Sequence, residues 1–263
     1  MRGLVLSQRG GYQSRVLLFS RILDFEQNRI QEVERRREQR YVPGRNFPLQ
    51  ATIEVDDEPR NAHIMDLSPG GAGLRVSGPA YTRGSLAKLH LMIEDSWMEF
   101  ACTIAHVKTL SSGCRLGLTA GFASFAEKKA YLQLLQPVAI GSLFRPVPPD
   151  EVRQMDPGMH KVVFTGRPGT ELDVWRQGDA DGPYHSFNWQ VDDYLVQGAL
   201  GGGELQIHSR KYMVAPTRTK PGAPSYRKLP NDVQDEILRL FRWTMLNLPK
   251  DVSAELRNFI QGF

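Results

Sequence analysis

The chain has 263 residues, 41% hydrophobic and 24% charged. That composition excludes a disordered, collagenous or fibrous chain, and the length suffices for one large domain or two ordinary ones with real cores. The net charge of +4 is uneven: residues 1–50 hold ten Arg, no Lys and five acids, whereas the remainder sums to −1, so the basic character is a local feature.

Residues 12–40 contain no Pro and no Gly. Val16, Leu23 and Ile30 are spaced by seven, with Phe19 and Val33 in companion positions, which predicts a helix with a weak heptad seam. Such a seam suits a homodimer, packing on the chain's own body, or, with its arginines, a membrane surface. Five acids interrupt the basic face and weigh against the membrane. The apolar run Val16–Phe19 is too short for a signal sequence or a membrane span. A cytoplasmic location is therefore expected. Pro43 is expected to end the helix.

Strict apolar alternation follows in Leu49, Ala51, Ile53 and Val55, in Ala87, Leu89, Leu91 and Ile93, and in Met98, Phe100, Cys102 and Ile104. Leu116, Leu118 and Ala120 give a shorter version. Period two means one buried and one wet face, so these strands predict a small antiparallel barrel or sandwich. A helix is expected from Phe125 to Gln136. If Ser111-Ser112 is a hairpin tip, Cys114 faces Thr109 and Cys102 faces Gly121, so the two cysteines do not pair. Two cysteines without a CxxC, and six histidines without HxH or HxxxH spacing, predict no disulfide framework and no metal site.

Prolines and glycines crowd residues 140–160, which predicts a linker. Beyond it, strands are expected at Lys161–Gly166, Glu171–Arg176, Ser186–Val196 and Glu204–Val214, with Gly201–Gly203 turning between the last two. Asp192 and Asp193, adjacent on the third of these, are expected on opposite faces. Trp175, Trp189, Tyr184 and Tyr194 are read as packed core. The tail predicts a helical hairpin, with Val233, Ile237, Leu240 and Phe241 on one helix and Val252, Leu256, Phe259 and Ile260 on the other. Leu229-Pro230-Asn231-Asp232-Val233 is echoed by Leu248-Pro249-Lys250-Asp251-Val252, and convergent helix-start chemistry explains this better than a duplicated module.

Two motifs stand out. Arg36 and Arg40 form an RxxxR before the first strand, and Asp66-Leu67-Ser68-Pro69-Gly70-Gly71 forms a DxSxxG at the end of the second. Arginine forks bind phosphate and stack on purines. Guanine offers N7 and O6 to arginine, and its N1 and N2 donors suit a carboxylate such as Asp66. Ser68 adds a short hydroxyl, and Gly70 and Gly71 let a backbone approach without a Cβ. The set complements a ligand bearing both phosphates and guanines.

At these residues the sequence resembles the PilZ domain, a bacterial receptor module for cyclic di-GMP. The resemblance covers residues 35–137 and includes Arg36, Arg40, Asp66, Ser68, Gly71, the Leu116-Gly117-Leu118 strand and the helix after it. It implies a six-stranded antiparallel barrel with a C-terminal helix. It also implies that Arg36 and Arg40 clamp phosphate and guanine while Asp66 and Ser68 read the guanine edge. In the family an Arg directly before the motif accompanies a stacked pair of ligand molecules, and Arg35 occupies that place here.

The expected architecture is mainly β with α: an N-terminal helical arm (1–34), a PilZ-like barrel (35–137), a Pro-rich linker (138–160) and an α+β domain (161–263). The leading functional reading is a cytoplasmic, non-enzymatic cyclic di-GMP effector that signals to an unidentified protein partner, without cofactor, metal or nucleic acid. Its competitors are a degenerate PilZ domain that serves as a structural module, a PilZ-regulated enzyme with its activity in 161–263, and an N-terminal binder of nucleic acid or membrane.

Overall fold

Six strands close into a barrel: β1 (Leu49–Val55), β2 (Glu58–Ser68), β3 (Gly71–Val76), β4 (Leu86–Ile93), β5 (Ser96–Leu110) and β6 (Gly113–Gly121). They run in the order β1-β2-β3-β6-β5-β4, antiparallel throughout. This computed structural model describes residues 18–23, 39–78, 81–210, 213–214, 225–226 and 228–263. The alternating residues Ile53, Leu74, Leu89, Leu91, Ile104 and Leu116 fill the barrel interior. Thr109 pairs with Cys114, as the hairpin tip predicts. A bulge between Ile104 and His106 then moves the register by one, so Cys102 faces Ala120 rather than Gly121. Both cysteines are buried and free.

Helix α1 (Phe125–Leu143) follows. The Ser124 hydroxyl accepts the amide of Glu127, and the Glu127 carboxylate accepts the amide of Ala123, a reciprocal arrangement close to a capping box. The expected stop at Gln136 is corrected: the helix runs through Pro137, and residues 138–143 of the expected linker are helical. An interior proline lacks a donor and strains the helix. Burial overrides that cost, because Tyr131, Leu134, Leu135, Val138 and Ile140 are all buried. A helix apolar on every side is one packed on every side. Here α1 lies between the barrel and helix α2 (Asn231–Leu246), which approaches so closely that a Cβ on Gly141 would sit 2.5 Å from the Thr244 carbonyl.

A second, open sheet has the order β12-β11-β10-β9-β8-β7. Its strands are β7 (Arg145–Pro146), β8 (Met159–Thr165), β9 (Thr170–Gln177), β10 (Tyr184–Val191), β11 (Tyr194–Ala199) and β12 (Gln206–Ser209). Arg145 and Pro146, expected in the linker, are thus an edge strand. The single strand expected over Ser186–Val196 is two strands. They turn at Asp192-Asp193, where Asp192 has φ +49° and its carboxylate pairs with Arg167 at 3.0 Å. These two aspartates therefore sit in a turn, not on a strand. The strand expected at Glu204–Val214 is likewise divided, into β12 and the short β13 (Met213–Val214), which pairs with β14 (Ser225–Tyr226).

Helices α2 and α3 (Ala254–Gln261) cover one face of this sheet. Phe187 stacks on Phe241 at 5.4 Å, Trp189 meets the same ring at 5.4 Å, and Phe259 reaches Phe187 at 6.1 Å. Tyr184, Trp189 and Tyr194 are core residues, while Trp175 is only half-buried and its indole donates to Asp156. The two Leu-Pro repeats do different jobs. Asp232 pairs with Arg21 from the first turn of α2, whereas Asp251 lies in a turn before α3, which Ser253 caps.

The expected N-terminal helix falls largely outside the described residues. Leu18–Ile22 form a turn rather than a continuous helix, with one helical bond from the Leu23 amide to the Phe19 carbonyl. The reason is tertiary. The Glu236 carboxylate accepts the amides of Ser20, Arg21 and Ile22, and the buried Gln133 side chain bonds Phe19 and Leu23. Phe19 is fully buried in its own chain. Val16, Ile30 and Val33 of the seam lie outside the described residues. Among the described residues no helix is long and apolar enough to cross a membrane.

Candidate ligand cleft

The site is built where the chain enters the barrel. Tyr41 and Leu67 exchange two backbone hydrogen bonds of 2.8 Å, which lays the strap before β1 beside the end of β2. Arg40 thereby meets Asp66: Nη1 donates to Oδ1 at 2.7 Å. Arg115, from β6, donates to the other carboxylate oxygen at 3.4 Å. The Asp66 side chain is 9% exposed and that of Arg40 58%, so a nearly buried acid holds a cation at the surface. Gly73, opposite Asp66 on β3, makes room for the carboxylate, because a Cβ there would lie 2.6 Å from Oδ2.

Ser68 and Gly71 flank the Pro69-Gly70 turn, and the Ser68 hydroxyl donates to the Gly71 carbonyl at 3.3 Å. The Tyr131 hydroxyl of α1 donates to the carbonyls of Ser68 and Gly71 at 3.0 and 2.7 Å. Burial pushes the pKa of this phenol well up, so it stays protonated and remains a donor. The two glycines differ. A Cβ on Gly71 would lie 1.9 Å from the Leu118 carbonyl, whereas a Cβ on Gly70 would meet nothing within 4 Å. Gly71 is required by the close approach to β6, while Gly70 leaves the rim open.

Arg40, Ser68 and Gly70 line a cleft of about 650 Å³, completed by Thr119, Phe122 and Lys128. Cationic side chains at its mouth, a carboxylate behind them and exposed backbone at the turn suit a ligand with anionic and hydrogen-bonding groups. The structure thus brings Arg40, Asp66, Ser68, Gly70 and Gly71 together, while Arg35 and Arg36 lie outside the described residues. Sequence reasoning missed Arg115, Gly73 and Tyr131. Tyr131 is legible as core from its spacing with Leu134, Leu135 and Val138, but the contacts of Arg115 and Gly73 with Asp66 come only from the pairing of β2, β3 and β6. Among the described residues no cluster of His, Cys, Asp and Glu is arranged to hold a metal ion.

A closed six-stranded antiparallel barrel, with an Arg–Asp pair at its rim and a helix beneath, defines the class of domain. Residues 34–132 match the family model of the PilZ domain. No curated protein matches the chain. Similar solved structures include the PilZ domain with c-di-GMP of YcgR from Escherichia coli (16% identity, TM-score 0.35, covering 40% of this chain and 91% of that one). The PlzA protein of Borreliella burgdorferi in complex with c-di-GMP is 10% identical, with TM-score 0.32, and covers 65% of this chain and 86% of its own. The PilZ domain of CeSA from a cellulose-synthesizing bacterium is 14% identical, with TM-score 0.31, over 37% of this chain and 94% of that chain.

Proposed function

We propose that the chain is a cytoplasmic receptor for cyclic di-GMP, a binding and relay protein rather than an enzyme. The observation that supports this most is Arg40 lining an open cleft while held by the nearly buried Asp66, within a stretch that matches the PilZ domain. Arg40 takes phosphate and the Hoogsteen edge of guanine, joined by Arg36. Asp66 and Ser68 take the guanine N1 and N2 donors. Gly70 leaves the rim open, and Gly71 keeps the turn pressed on β6. Arg35 contacts a second, stacked ligand molecule. Arg40 now pairs with Asp66, whose other oxygen accepts from Arg115. A ligand with phosphates and guanines replaces the Arg40–Asp66 contact with charge-assisted bonds to each.

The relay runs along the strap. The Gly44 amide donates to the Asn247 side chain at 2.7 Å, and a Cβ on Gly44 would lie 1.9 Å from the Leu246 carbonyl. A pull on Arg40 therefore reaches α2 within a few residues, and a protein partner reads the outcome. Calorimetry of the full chain with cyclic di-GMP tests the reading. Saturable binding at micromolar concentration is expected, and a folded sample that gives no heat at tens of micromolar overturns it.

A further inference from the structure

A second groove, of about 540 Å³, lies between the strap, the end of α1 and the C-terminal helices, and shares only Arg40 with the Asp66 cleft. Arg40, Arg45, Arg145, Lys250 and Arg257 line it, and among the described residues no Asp or Glu does. Two of these cations are held in place by carbonyls, which orient a guanidinium without neutralising it. Arg145 donates to Ser142 and Phe144 at 3.0 and 2.6 Å. Arg257 donates to Pro249 and, at 3.1 Å, to Val252, while its buried Nε has no partner among the described residues. Arg45 and Lys250 are exposed, and no acid among the described residues pairs with either.

Arg40 is paired with Asp66, but the other four cations come from three separate segments, have no acid partner among the described residues and repel one another, and packing alone gives no reason to gather them. A concave basic surface raises the local concentration of an anionic partner. We propose that this groove docks an acidic peptide segment of a partner protein. A nucleotide fits less well, because the one aromatic residue of the lining, Tyr41, is buried and presents no ring for a base to stack on. Asn46, Asn258 and Gln261 supply the donors and acceptors that a peptide backbone needs. Val42, 66% exposed on the strap, supplies an apolar contact beside the charges. The reading rests on the groove's own residues and stands whether or not the Asp66 cleft takes a dinucleotide.

Fluorescence anisotropy of the full chain with a short labelled peptide of alternating Glu and Leu tests it. The peptide is expected to bind, and to weaken as salt rises. The double reversal Arg45→Glu with Lys250→Glu is expected to weaken it at least tenfold. Both side chains are exposed, so the fold is retained, and circular dichroism checks this. The reversal Arg83→Glu with Lys108→Glu makes the same change of net charge at exposed positions outside the groove, and is expected to leave binding within twofold. No binding by the native chain, or equal loss in both double variants, overturns the proposal. Tighter capture of a labelled oligonucleotide or of pyrophosphate, lost with Arg45 and Lys250, overturns the peptide and assigns the groove to phosphate.

Discussion

The barrel and the second sheet each use six antiparallel strands, but they solve the problem of edges and faces differently. The barrel pairs β1 with both β2 and β4, so it has no edge, and its interior is filled by its own side chains. The second sheet is open, ends in the short strands β7 and β12, and relies on α2 and α3 to cover one face. A self-sufficient barrel leaves its rim free, and that is where Arg40, Asp66 and the Ser68–Gly71 turn gather. The sheet commits Tyr184, Phe187 and Trp189 to helix packing. Helix α1 serves both regions, so the two are expected to unfold together.

Breaking the helix cover of the second sheet has the largest expected effect. Phe241→Ala removes a buried ring that touches Phe187 and Trp189, and costs about 3–5 kcal/mol. Urea unfolding followed by tryptophan fluorescence is expected to show one cooperative transition moved to lower denaturant. A separate barrel transition left in place would show that α1 does not couple the regions.

At the rim, Asp66→Ala is expected to weaken cyclic di-GMP binding by about 2–5 kcal/mol with little change of fold, since a charged partner in a tight site is lost. Calorimetry measures the first and thermal melting the second. Unchanged affinity would move the site away from Asp66. The neighbouring glycines separate structure from recognition. Gly71→Ala forces a backbone shift against Leu118 and is expected to cost about 1–3 kcal/mol of stability. Gly70→Ala is expected to stay within about 0.5 kcal/mol, and a thermal-melt series distinguishes them.

Two smaller effects probe each region alone. Burial pushes the Cys102 thiol up to about 11, so little thiolate forms near neutrality. Iodoacetamide labelling followed by mass spectrometry is expected to be slow until the barrel opens. Labelling of Cys102 at the rate of a free thiol would contradict a closed barrel. On the second sheet, burial and then the neighbouring Asp173 raise the Glu171 pKa above the ordinary glutamate value. The folded state therefore binds this proton more tightly than the unfolded chain does. Its contribution is fully present below the unfolded pKa and is lost as pH rises through the folded one. Glu171→Gln is expected to flatten that decline slightly, and denaturation midpoints across pH 4 to 7 would reveal no change if the carboxyl were ordinary.

Much of this was legible in the sequence because alternation is a local signal. β1, β4, β5 and β6 follow from period two, and α2 and α3 from their apolar faces. β3 was hidden, since in Gly71-Ala72-Gly73-Leu74 all four residues are buried and no alternation shows. The break at Asp192-Asp193 was hidden because two acids between apolar residues read equally well as strand. Pro137 pointed to a helix end, but burial on every side of α1 overrode it. At the rim, the residue types of the RxxxR and DxSxxG motifs were enough to place Arg40 and Asp66 in one site. Their separation of 26 positions is closed only by the Tyr41–Leu67 bridge.

The sequence alone therefore determined which faces are apolar, where most strands run and which residue types suit a ligand with phosphates and guanines. Those depend on periodicity and side-chain chemistry within a few residues. Tertiary structure alone decided that Arg115 shares Asp66, that Phe19 turns inward against Gln133 and Glu236, and that five cations border one groove. Each of these joins residues far apart in the chain through register or packing, and no local pattern encodes it.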